Sequence, residues 1–94
     1  MAVFTTRVEL HGASHGDYQT LHAEMDREGF YRAIRLDDDG WGLLPTAEYF
    51  RSGELTKEEV LDSAREAAKA TGKACSILVT EAAGRCWAGL QPVG

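Results

Sequence analysis

Residues 37–50 read DDDGWGLLPTAEYF, and the number of strands in this stretch decides the fold. Asp39–Gly40 is the strongest short signal for a hairpin, because a tight two-residue turn needs positive φ, which Asp and Gly tolerate. Before the turn, FYRAIRL (30–36) places Phe30, Ile34 and Leu36 on one face of a strand. After it, WGLLPTAEYF (41–50) reads as one returning strand. Pro45 has no N–H to give a ladder, so it weakens or bulges that strand, or sets it at a sheet edge. The acidic run Asp37–Asp39 is then a solvated tip.

On the N-terminal side of the hairpin, VFTTRVELH (3–11) alternates, with Phe4, Thr6, Val8 and Leu10 on one face and Thr5, Arg7, Glu9 and His11 on the other. Ser14 stands three residues before Asp17, the spacing of a capping box. Tyr18, Leu21, His22 and Met25 follow at the spacing of an amphipathic helix, which Gly29 closes. On the C-terminal side, Thr56 and Glu59 form a second capping box, with Leu55 placed to staple onto Val60. Val60, Ala64, Ala67, Ala68 and Thr71 make its buried stripe, and Gly72 ends the helix. KACSILVTE (73–81) is the most strand-like stretch, and RCWAGL (85–90) reads as a short added strand. The order β-α-β-β-α-β predicts an α+β, ferredoxin-like domain over residues 1–94: a four-stranded antiparallel sheet, two helices on one face and the other face open.

Ninety-four residues suffice for one small core, and a hydrophobic fraction of 44% is that of a globular chain. No apolar run approaches the ~20 residues of a membrane span, and MAVFTTRVEL lacks the apolar region of a signal peptide, so a cytoplasmic location and no membrane partner are expected. The net charge of −5 argues against a broad nucleic-acid-binding surface, and no DNA partner is expected. Cys75 and Cys86 lie in apolar stretches without metal-ligand spacing and read as two buried thiols.

The stretches TRVELHGASHGDYQTLHAEMDREGF, LPTAEYFRSGELTKEEVL, ATGK and SILVTEAAGRCWAGL resemble small bacterial proteins grouped with the GhoS antitoxin. The resemblance covers nearly the whole chain. It implies a ferredoxin-like fold and an endoribonuclease that silences a toxin by cleaving the toxin's mRNA, the type V toxin–antitoxin arrangement.

Attack by the RNA's own 2′-hydroxyl needs a base, an acid and a cation for the phosphorane charge. His11 and His22 are the acid–base candidates, because histidine titrates near neutrality. Strand parity sets Arg7, His11 and Arg35 together on the open face, with Arg7 and Arg35 as the RNA contacts. Arg32 shares parity with Ile34 and is a further RNA-contact candidate, either at a strand end or at odds with that register. His11 and His15 are four apart, but Gly12 and Ser14 separate strand end from helix start, so a shared metal is not expected, nor any cofactor. The competing function is a non-catalytic ferredoxin-like homodimer that binds a protein or RNA. Ile77 and Val79 point one way and Leu78 the other, as in a central strand buried on both faces. A second copy would cover the open face, with the RCWAGL tail reaching across to the partner's sheet.

Overall fold

The computed structural model describes residues 1–37 and 40–93. Asp39 of the expected Asp39–Gly40 turn lies outside the described residues, as does Asp38 of the acidic tip. The elements run β1 (Ala2–Leu10), α1 (His15–Arg27), β2 (Ala33–Arg35), β3 (Trp41–Leu43), β4 (Glu48–Gly53), α2 (Lys57–Lys69), β5 (Cys75–Glu81) and β6 (Gln91–Val93).

β1 is the spine. Its alternation holds: Phe4, Thr6, Val8 and Leu10 are buried while Arg7 and Glu9 are exposed. β4 and β5 both pair with it antiparallel, so Arg7 faces Glu48 on one side and Leu78 on the other. Both helices start where their caps dictate. The Ser14 side chain accepts from Asp17 N–H while the Asp17 carboxylate accepts from Ser14 N–H, and Thr56 and Glu59 repeat this at α2. Each box satisfies two of the N–H groups that a helix start leaves orphaned. The helices lie on the inner face of β1, where Leu21 and Met25 of α1 and Val60, Ala64, Ala67 and Ala68 of α2 join Phe4, Val8, Phe30 and Tyr49 in one core. The small alanine side chains let α2 lie close against its neighbours.

The expected single four-stranded, ferredoxin-like sheet does not form. The strands make two three-stranded antiparallel sheets, ordered β4-β1-β5 and β2-β3-β6. The cause is the stretch 41–50, which is two strands rather than one. After β3 the chain turns at Pro45–Glu48, with Glu48 N–H donating to the Pro45 carbonyl at 3.1 Å and Ala47 at φ +75°. An L-residue at positive φ cannot continue a strand, and Pro45 offers no ladder donor. Beyond the break, Val8 N–H donates to the Ala47 carbonyl at 2.8 Å, and β4 joins β1. Beside β4, the place expected for a fourth strand holds one bridge, Tyr31 to Phe50, with bonds of 2.7 and 2.8 Å.

The second sheet closes with β6 on β3, so the added C-terminal strand is Gln91–Val93 and not the RCWAGL segment. Gly42 of β3 fits against Leu36 and Leu90, where a Cβ would come within 2.9 Å of Leu36 Cδ2 and 3.2 Å of Leu90 Cβ. The segment before β6 crosses the outer face of the first sheet. Arg85 donates to Thr5 Oγ1 at 3.1 Å and lies 5.0 Å from the Phe50 ring, so that face is only partly open. Two further expectations are corrected: β5 is an edge strand, not a central one, and Cys86 is exposed while Cys75 is half-buried.

Ala47→Gly is expected to stabilise the fold by about 0.5–1 kcal/mol, because relief of the positive φ outweighs the greater freedom of glycine in the unfolded chain. The urea midpoint reads this out, and a lower midpoint in the variant would count against strain at Ala47.

Candidate functional site

The residues singled out in the sequence fall in three places. Arg7 and His11 lie on the outer face of the first sheet. Arg7 is exposed on β1, and His11 Nε2 sits 2.9 Å from Ser76 Oγ, beside Glu9 on that face. Arg35 is in the second sheet, with its guanidinium 5.5 Å from the Trp41 ring. His22 and Arg32 are on the helix side. The sheet therefore separates His11 from His22, and Arg35 belongs to the other sheet from Arg7 instead of sharing one sheet face with it and His11.

The helix side carries the tighter constellation. His22 sits on the inward stripe of α1, half-buried, with its Nδ1 2.6 Å from the Tyr49 hydroxyl. Tyr49 is fully buried in β4, held edge-on by Phe30 at 6.4 Å between ring centroids. The His22 ring lies 5.7 Å from Tyr49 and 6.5 Å from Tyr18. Tyr18 is itself fixed, since its hydroxyl accepts from Leu10 N–H at 3.0 Å.

Arg32 reaches this place through the Tyr31–Phe50 bridge. Continued by one residue, that register sets Arg32 opposite Tyr49 and on the same side of the backbone. The Arg32 carbonyl accepts from Leu44 N–H at 2.7 Å, which fixes the backbone there. Arg32 stands at a strand end, just before β2, and of the candidate arginines it is the one that this register turns toward the helices.

Electrostatics keep both members of the pair neutral. Burial is the largest cause that lowers the His22 pKa below its ordinary 6.5, and the charges of Arg32 and His15 lower it further. Burial raises the Tyr49 pKa far above its ordinary value, against the pull of Arg32. A neutral phenol can donate to Nδ1, leaving a proton on Nε2, or accept from Nδ1–H, leaving Nε2 with a lone pair. Nε2 has no hydrogen-bond partner among the described residues.

His15, Tyr18 and His22 share one face of α1 by their i, i+3, i+7 spacing, which the sequence showed although only His22 stood out. Gln19 Nε2 lies 3.2 Å from His15 Nε2. Tyr49 as the partner of His22 had no local signal, being 27 residues away. Among the described residues, no group of three or more His, Cys, Asp or Glu side chains is placed to hold a metal ion, and no helix is long and apolar enough to cross a membrane.

The depressed His22 pKa makes folding stability depend on pH. The unfolded chain takes up this proton more readily, so the contribution is fully present above pH 6.5 and is lost as pH falls from there toward the folded-state pKa. Urea midpoints at about pH 7.5 and about pH 5.5 are expected to differ more for the native chain than for His22→Gln. An equal fall in both would show that His22 does not carry the dependence.

The chain matches no protein-family model, no curated protein and no solved structure.

Proposed function

We propose that this chain is a cytoplasmic, metal-independent endoribonuclease that cleaves single-stranded mRNA in the manner of a GhoS-like antitoxin, with its chemistry at His22. The observation that carries this reading is the 2.6 Å contact between His22 Nδ1 and a buried tyrosine hydroxyl, with Arg32 beside both. With Nδ1–H donated to the Tyr49 oxygen, Nε2 is an unprotonated base at neutral pH. It takes the proton of an RNA 2′-hydroxyl, whose oxygen attacks the adjacent phosphorus while the 5′-oxygen leaves. Arg32 offsets the phosphorane charge, and His15, two turns back on the same helix face, supplies a proton to the leaving oxygen. The products are a 2′,3′-cyclic phosphate and a 5′-hydroxyl. An acidic chain with one arginine at the site holds RNA through few phosphate contacts, so affinity falls only shallowly with salt.

Incubation of a labelled, unstructured RNA with the purified protein in EDTA tests this. Cutting that persists in EDTA and leaves cyclic-phosphate ends is expected. Cutting that requires a divalent ion, or leaves a 5′-phosphate, would contradict it. A second reading, a non-catalytic homodimer that binds RNA or a protein, draws on the separation of His11 from His22. RNA that is bound and shielded from an added nuclease yet never cut would select that reading.

A further inference from the structure

Among the described residues, the outer edge of β5 is unpaired. β1 is flanked on both sides, and β4 has the Tyr31–Phe50 bridge on its outer side, but no strand among the described residues lies beyond β5. Two bonds at its ends fix which backbone groups face outward. His11 N–H donates to the Ala74 carbonyl and Ala82 N–H to the Val3 carbonyl, both at 2.8 Å. Antiparallel alternation then turns the amides and carbonyls of Ser76, Leu78 and Thr80 toward β1. Those of Cys75, Ile77, Val79 and Glu81 point to the empty edge.

Edges in soluble proteins are ordinarily guarded by charge, proline, a bulge or a cover. Residues 75–80, CSILVT, carry neither charge nor proline. Leu78 is 65% exposed on the outer face, and Ile77 and Val79 flank a shallow groove of ~290 Å³ with Leu61, Lys57 and Glu58 of α2.

We propose that a second copy of this chain docks antiparallel along β5, about a two-fold axis at Leu78, to give one continuous six-stranded sheet. The proposal does not depend on the ribonuclease reading. The strand is complementary to itself in that register. Ile77 of one copy stands opposite Val79 of the other, and Cys75 opposite Glu81, so every outward-facing amide and carbonyl meets its counterpart. Leu78 meets Leu78 across the axis, as a close non-hydrogen-bonded pair on the outer face, and Ser76 meets Thr80. Glu81 faces an uncharged residue, so no like charges oppose each other. A shift by one residue would set outward groups against inward ones, and a shift by two would leave Leu78 opposite a polar neighbour. The backbone match would serve any antiparallel strand, but the apposed Leu78 side chains and the absence of facing like charges favour a second copy over an unrelated strand. The C-terminal segment does not supply the contact, because β6 pairs within its own chain and Arg85 is engaged on Thr5 and Phe50.

Light scattering on the full chain at ~100 µM tests the interface. The native chain is expected to weigh twice its 10.3 kDa. Val79→Pro removes an outward N–H without touching the β1 ladder and is expected to weigh as a monomer with unchanged circular dichroism. Glu9→Arg, on the outer face away from the edge, is expected to remain a dimer. Should Val79→Pro fail to fold, Leu78→Lys and Leu78→Asp decide: each alone is expected to be monomeric, and an equimolar mixture to recover the dimeric mass. A monomeric native chain, a folded but dimeric Val79→Pro, or charge variants that fail to restore each other would overturn the proposal.

Discussion

His22→Ala is expected to lower the rate of RNA cleavage by about 10²–10⁴-fold, the contribution of one positioned acid–base group. The fold should survive, because His22 is only half-buried and its Tyr49 partner can meet water through the space vacated. Tyr49→Phe separates base from orienter. The ring stays packed against Phe30, but Nδ1 loses its 2.6 Å partner. Tyr49 is a positioning residue, so its loss should lower the rate less than His22→Ala and also move the pH at which the rate is half-maximal. Arg32→Ala carries a distinct signature. It removes both the phosphate contact and a charge that depresses the His22 pKa, so the rate should fall while the pH midpoint rises. Equal rates in the native chain and His22→Ala would place the chemistry elsewhere.

Phe4→Ala is expected to cost about 3–5 kcal/mol, read as a lower urea midpoint with little change in slope. Phe4 is fully buried on β1 and belongs to the core that β1 shares with both helices. A cavity there cannot be filled by a helix without breaking the β1 pairings, because β1 is held on both sides by β4 and β5. Domains of this size are stable by only ~5–15 kcal/mol, so the variant keeps at best a modest margin. A cost under about 1 kcal/mol would mean that the core is not closed over Phe4 as described.

Local chemistry was legible in the sequence and long-range pairing was not. The two capping boxes depend on residues three apart, and both form as read. The parity of β1 and the alanine stripe of α2 depend only on strand and helix periods, and both hold. The stretch 41–50 was not legible because its outcome turns on Ala47, which stands at positive φ with its carbonyl accepting from Val8 N–H across the first sheet; alanine itself gives no sign of this. The place of β5 failed for a related reason. A period of two tells which side chains share a face, but an edge strand and a central one can carry the same alternation. The candidate site is half legible: the stripe of α1 offers His22, and the parity of Arg32 with Ile34 sets it apart from the other candidate arginines. Tyr49 appeared as an aromatic closing a core, which it does, and its hydroxyl gained a role only once the fold laid β4 beneath α1.

The rate of RNA cleavage in EDTA as a function of pH tests the central claim most directly. A base held neutral at His22 requires a rate that climbs from the acidic side with a midpoint below 6.5 and that disappears in His22→Ala. No cleavage at any pH, a rate abolished by EDTA, or a midpoint above 6.5 would contradict it.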